Sequence, residues 1–309
     1  MGGETILWIS FLVSIIGVAT PLLIAATGEL VVEKSGVLNL GVEGMMLVGA
    51  VVAFSVTFVS GSYALGIFSA AISSALAALI FGYLTITLTS NQVATGLALT
   101  LFGTGFSSLI GEPYVGKTIS QLGPVFPDFL AQHPYLRLLF GHSIYVYFSL
   151  AMLVAVSFFL YKTRTGLVLR AVGESDSSAH SIGYSVAAVR YLAVAFGGMM
   201  AGIAGSYFSL ILTPLWAEKL TGGRGWIALA LVVFASWKPS RLLFGAYLFG
   251  VVMTLELYLK ASGIRIIASE FLAALPYLAT IAVLALISIR KSGYSAAPAC
   301  LAKPFKPSH

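Results

Sequence analysis

A chain of 309 residues that is 59% hydrophobic and only 9% charged has too little polar surface for an ordinary soluble domain, where about 25% of residues are charged. Its mean hydropathy of +0.98 makes the bilayer the solvent. The net charge of +6 does not call for a nucleic-acid partner, because lysines and arginines on the cytoplasmic flanks of membrane spans account for it.

In chain order, the opening Met1-Gly2-Gly3-Glu4 lacks the basic stretch of a secretory signal, so the first apolar run reads as part of the fold. Runs suited to membrane spans cover 6–26, 40–60, 63–86, 92–111, 143–162, 188–212, 224–236, 241–259 and 267–289. The seventh is short and headed by Gly222, Gly223 and Gly225, which suits a half-helix or a re-entrant element. Two-residue alternation is absent, so helices and not a barrel are expected.

The expected fold class is therefore all-α, a polytopic transmembrane bundle of about nine spans in contact with membrane lipid. Placing the loop 163–187 and the chain's end in the cytoplasm puts most lysines and arginines inside, with the N-terminus outside. One membrane domain covers 1–290. The longest connection, 112–142, carries Pro113, Pro124, Pro127 and Pro134 and is expected to face outward. The basic cytoplasmic tail 291–309, rich in Pro, Ser, Ala and Lys, has no apolar stripe and is expected to be flexible. It holds Cys300, the single cysteine, so neither an internal disulfide nor a cysteine metal site is expected. His133 and His142 read as surface histidines of the outer loop, without a third ligand at metal spacing.

Gly111-Glu-Pro-Tyr-Val-Gly116-Lys117-Thr118 satisfies the P-loop pattern, but in the wrong context. A phosphate-binding loop joins a buried strand to a helix; this match follows a membrane helix and precedes an outward, proline-rich loop. Nucleotide binding by this chain is not expected.

Two segments are informative. In Gly36-Val-Leu-Asn39-Leu-Gly41-Val-Glu43-Gly44, glycines surround an amide and an acid within a span. An ionised Glu at mid-bilayer costs about 2.5–3.5 kcal/mol, so Glu43 faces the bundle or a wet cavity, or else caps or pairs at the interface. Asn39 leans toward a structural role. The second segment runs from Thr163 to Tyr184. Ser175 or Asp176 can cap a helix there and Gly183 can end it in left-handed geometry. A helix of about two turns is marginal alone in water and needs a surface to dock on. Ser177, Ser178 and Ala179 would let it sit deep in a groove.

Other polar residues divide between function and structure. Asn91 and Gln92 either contact solute through their amides or cap the fourth span at its cytoplasmic edge. Trp226, beside Trp216 and Arg224, either stacks on solute or sits in the interfacial aromatic belt. Gly198, Ala201, Gly202 and Gly205 place small residues on one helix face and read as tight packing. No nucleophile–base pair or carboxylate dyad can be assembled, so an enzyme is not expected.

Taken together, Gly36-Val-Leu-Asn-Leu-Gly-Val-Glu-Gly-Met-Met, Leu169-Arg-Ala-Val-Gly-Glu and Gly223-Arg-Gly-Trp-Ile-Ala-Leu-Ala with Trp237-Lys-Pro239 resemble the permease subunits of ATP-binding-cassette importers for branched-chain amino acids, ribose-type sugars and nucleosides. The similarity runs from about residue 12 to 290 and is strongest to the nucleoside branch. Val233-Phe-Ala-Ser-Trp departs from it where the family often has a glycine near Ala235, and His180 stands where a small or aliphatic residue is commoner. The resemblance implies a non-catalytic subunit of the bacterial cytoplasmic membrane that imports nucleosides or related small polar solutes. It implies a second, related permease subunit, an extracytoplasmic solute-binding lipoprotein or periplasmic protein, and cytoplasmic ATPase subunits that use ATP and magnesium; no cofactor is implied on this chain. It further implies that Gly173, Glu174, Ser175, Ser178, Ala179, Ile182 and Gly183 belong to a coupling helix gripped by the ATPase. Asn39, Glu43, Asn91, Gln92 and Trp226 are candidates for the solute path. The rival reading is an ion-coupled secondary transporter, for which Glu43 and Glu256 are the candidate ion-binding acids.

Overall fold

The structure, a computed structural model, describes residues 2–131, 133, 135–261 and 297–305, with Ala274, Leu278, Ile281, Ala282 and Ala285 between the last two stretches. Its helices are α1 (Gly2–Lys34), α2 (Val42–Ser60), α3 (Tyr63–Gly82), α4 (Gln92–Gly111), α5 (Asp128–Ala131), α6 (Arg137–Phe140), α7 (Ile144–Lys162), α8 (Arg164–Glu174), α9 (Asp176–Ser181), α10 (Val186–Tyr207), α11 (Arg224–Phe234) and α12 (Pro239–Ala261). Single π turns, Tyr83–Thr87 and Phe208–Leu212, finish α3 and α10.

Seven helical segments among the described residues are long and apolar enough to cross a membrane, namely α1, α2, α3, α4, α7, α10 and α12 with their terminal turns. The seventh expected run is the short helix α11. Its 11 residues reach about 16 Å, against a hydrocarbon core of about 30 Å, so it enters the bundle without crossing it. The ninth expected run, 267–289, lies outside the described residues as a helix. Among the described residues, seven long helices and one half-length helix thus stand for the first eight of the nine expected runs.

The first span also differs from its sequence-based bounds. The run was expected to end at 26, before the acidic Gly28–Lys34 segment, but α1 continues to Lys34. The acids do not break it because both are buried and bonded. Glu29 accepts a hydrogen bond from the Asn39 N–H (3.3 Å), and Glu33 accepts one from the Trp237 indole (2.5 Å).

α1 is the axle of the molecule, packed against α10, α12, α11 and α7. α2 lies in a second layer, enclosed by α3, α4 and α10. Glycines set how close these helices come. A methyl group on Gly49 of α2 would lie 2.5 Å from the Gly202 Cα of α10, and one on Gly205 would overlap the Met46 carbonyl. The small residues of α10 thus pack tightly on two sides, Gly202 and Gly205 against α2 and Gly198 with Gly202 against Ala70, Ser74 and Ala78 of α3.

The P-loop-like stretch lacks the strand-to-helix turn of a phosphate-binding loop. Gly111 closes α4, a 3-10 turn covers Glu112–Tyr114, and the Lys117 ammonium sits over the Phe58 and Tyr114 rings at 5.1 and 5.5 Å. His142, expected at the surface, is buried instead. Its Nε2 bonds the Leu138 carbonyl (3.0 Å), and burial pushes its pKa below the usual imidazole value.

The tail departs most from expectation. Residues 297–305 pack on the end of the bundle that carries α8 and α9. The Cys300 N–H donates to the Gly173 carbonyl (2.9 Å) and the Ala302 N–H to the Gly36 carbonyl (3.2 Å). Backbone hydrogen bonds and the side chains of Ala297, Leu301 and Phe305 supply the docking surface that the Pro- and Lys-rich composition conceals.

Candidate functional site

Two assemblies gather most of the residues singled out by sequence. The first surrounds the break between α1 and α2. Gly36 turns the chain with φ +91°, and residues 38–41 run alongside the first half of α4 before α2 starts. Asn39 is fully buried. Its Oδ1 accepts from the Gly41 N–H (2.9 Å), a local turn that fixes the break. From the neighbouring helix, the Gln92 Oε1 accepts from the Leu38 N–H (2.8 Å). Asn91 caps α4 by accepting from the Ala94 N–H (2.9 Å). All three amides satisfy backbone groups in this state.

Glu43 does something the sequence did not reveal. In the first turn of α2, its carboxylate meets the head of α11, which packs directly against it. Oε1 accepts from the Thr221 hydroxyl (2.6 Å) and the Gly223 N–H (2.8 Å), while Oε2 accepts from the Gly225 N–H (2.6 Å). The first N–H groups of a helix lack intrahelical partners and carry partial positive charge; a carboxylate there satisfies both conditions. Glu43 is therefore neither a local cap nor a loose acid facing a cavity. It is a remote cap for the half-helix. Gly225 is required for this approach, since a methyl group there would lie 2.6 Å from the Glu43 Cα. Trp226, next in sequence, is partly buried and packs against the main core.

At the opposite end of α11 the chain turns through Ser236 and Trp237, whose φ values are +50° and +54°. Glycine tolerates this left-handed geometry best, which is the physical meaning of the departure from the family's glycine near this position. Trp237 holds the turn in place through its bond to Glu33, whose other carboxylate oxygen is buried without a partner.

The second assembly is the 163–187 loop. The sequence predicts one short helix there; the structure has two. Thr163 caps α8 by accepting from the Gly166 N–H (3.0 Å), and Gly166, Leu169, Val172 and Gly173 form its buried side. That spacing, near three to four residues, is a signal legible in the sequence and passed over. Ser175 separates the helices and caps α9, its Oγ accepting from the Ser178 N–H (3.4 Å). Gly183 ends it with φ +95°. Glu174 is exposed at the joint. Gly173 lies so close to the end of α1 that a methyl group would overlap the Lys34 carbonyl.

The side chains of α9 sort by face. Ala179 is 1% exposed and packs with Val172 and Val186, while Ile182 is 71% exposed. Ser177, Ser178 and Ser181 are exposed beside it. The small-residue groove expected for Ser177, Ser178 and Ala179 therefore applies to Ala179 alone. Behind the helix stands Arg190 of α10, 1% exposed. Its guanidinium donates to the Ser35 carbonyl (3.3 Å), the Lys303 carbonyl (3.4 Å) and the Asp176 carboxylate (3.1 Å). This hub was missed by sequence reading. A lone arginine four residues into a span must find a partner, and Asp176 is among the acids within reach.

Comparisons with known proteins show the family. Residues 11–287 match the family described as "Branched-chain amino acid transport system / permease component". The chain is 42% identical to the putative glucose ABC transporter permease protein TsgC13 of Haloferax volcanii, over 88% of this chain and 89% of that one. It is 30% identical to the nucleoside ABC transporter permease protein NupC of Lactococcus lactis subsp. cremoris, over 87% and 89%. It is 31% identical to the guanosine ABC transporter permease protein NupQ of Bacillus subtilis, over 77% and 79%.

Proposed function

Because the chain belongs to the family of branched-chain amino acid transport system permease components, and is a multi-pass protein of the cell membrane rather than an enzyme, we propose that it is the permease subunit of an ATP-binding-cassette importer for nucleosides, with α9 as the element its ATPase grips. The carrying observation is the construction of α9. It is a six-residue helix, too short to persist alone, capped by Ser175, ended by Gly183 and tied to the bundle by Asp176 and Arg190. One face is fixed to the permease. The other offers Ser177, Ser178, Ser181 and Ile182 to a partner.

A nucleoside cargo is supported by the two nucleoside-permease relatives and opposed by the glucose relative; both are uncharged, hydroxyl-rich solutes. In this reading a second permease subunit completes the path and an extracytoplasmic binding protein delivers the solute. The break around Asn39 and Gln92 and the head of α11 with Trp226 lie along the path. The rival, an ion-coupled carrier, needs an acid free to exchange an ion. Glu43 already holds three donors, and Glu256 pairs with Lys260 at 2.7 Å.

The test uses inverted and right-side-out vesicles from cells expressing the full complex. Radiolabelled guanosine uptake is expected to require ATP and to persist with ionophores. Cysteines introduced at Ser177 and Ile182 are expected to crosslink to a separate ATP-hydrolysing polypeptide. Uptake by the purified chain alone, or crosslinks that never reach such a polypeptide, would reject the proposal.

A further inference from the structure

The chain end is the part of the molecule that family membership does not explain. The family match stops at residue 287, yet 297–305 make ordered contacts with the same elements that hold α9. We infer that residues 297–305 are a brace for the coupling helix, with Phe305 as a positioning residue that fixes α9 against α8 and α10. The inference rests on α9 being the element gripped by an ATPase, and adds a further part to that machinery.

Three contacts carry it. First, the Phe305 ring stands edge-on to the His180 ring, with centroids 5.4 Å apart, and packs against the Val172, Ala179 and Val186 cluster. Each of those buried residues comes from a different helix, α8, α9 and α10. Phe305 covers the point where the three meet. Second, the brace is anchored at its other end. Cys300 bonds Gly173 at the α8–α9 joint and Ala302 bonds Gly36 in the break after α1. Leu301 and Ala297 pack against the main core. Third, Arg190 joins the two ends. The guanidinium that holds Asp176 also holds the Ser35 and Lys303 carbonyls.

The placement separates a brace from a plug. The segment lies on the inner side of α9, leaving Ser177, Ser178, Ser181 and Ile182 exposed. It does not cover the face a partner would use. It closes the side on which α9 would otherwise yield when pushed, and links α9 to the α1–α2 break. His180, which departs from the small or aliphatic residue expected at its position, is the ring that Phe305 meets. A short helix transmits displacement only when it cannot tilt in its seat. Ser175 and Asp176 hold its first turn; Phe305 holds its last.

Phe305→Ala and a chain ending at residue 296 are compared with the unaltered chain in the purified, reconstituted complex, reading ATPase assembly, ATP hydrolysis and guanosine uptake. Assembly and hydrolysis are expected to continue, while ATP consumed per guanosine imported rises at least about fivefold, the lower end for coupling between sites. Phe305→Trp is expected to restore the ratio. A maleimide on the native Cys300 should react faster in Phe305→Ala, reporting release of the brace. An unchanged ratio in both altered chains, with crosslinks from Ser177→Cys to the ATPase intact, overturns the brace and leaves α9 as the coupling helix. Loss of those crosslinks in the unaltered chain instead removes the coupling reading itself. If the shortened chain fails to assemble, the Phe305→Ala ratio and the Cys300 rate decide.

Discussion

At the scale of single residues, Glu43 carries the most concentrated chemistry in the described bundle. A carboxylate in a membrane span is costly unless bonded, and here three donors from one turn meet it. Glu43→Ala would leave the Thr221 hydroxyl and the Gly223 and Gly225 N–H groups without their acceptor in a buried place. Each such orphan costs about 1–3 kcal/mol, so a clear fall in the thermal midpoint of the detergent-solubilised protein is expected. Glu43→Gln keeps one acceptor oxygen and is expected to fall between. Sequence marked Glu43 as unusual, since its cost in a span is calculable, but could not name its partners. They lie about 180 residues away, and no periodicity reports a contact that distant. Asn91 and Asn39 were legible in kind, as amides at a helix start and a break, because their bonds are local; the Gln92 bond to Leu38, 54 residues away, was not.

Among elements, the α2–α10 seam is the closest backbone packing in which α2 takes part. Gly49 against Gly202 and Gly205 against Met46 bring backbones into contact without intervening side chains. Gly205→Val would drive a branched side chain into the Met46 carbonyl. Overpacking of this kind costs about 1–3 kcal/mol, so a lower yield of folded protein and a lower thermal midpoint are expected, measurable by fluorescence-detected size exclusion. The same seam implies that α2 and α10 travel together. This packing was legible, since glycine and alanine at four-residue spacing have few other uses in a membrane helix. The extra helix of the 163–187 loop, α8, was legible only in the spacing of Gly166, Leu169 and Val172, because two of its four buried positions are glycines and carry no hydrophobic signal.

Across the whole molecule, the membrane as solvent followed from composition, with 59% hydrophobic residues, and the helices from the absence of two-residue alternation. What composition could not show was where chain ends go. The tail docks through backbone N–H groups of Cys300 and Ala302, which every sequence possesses, and through Phe305, a solitary ring among prolines and lysines. The remote cap on α11 has a last consequence for cargo. Helix starts aimed into a transporter are natural seats for anions, and this one is already neutralised from within. On the proposed path beside Trp226, a phosphate ester would find that seat occupied by the Glu43 carboxyl group. Guanosine uptake should therefore be competed by unlabelled guanosine but not by guanosine 5′-monophosphate, so the fold itself would sort dephosphorylated cargo from phosphorylated.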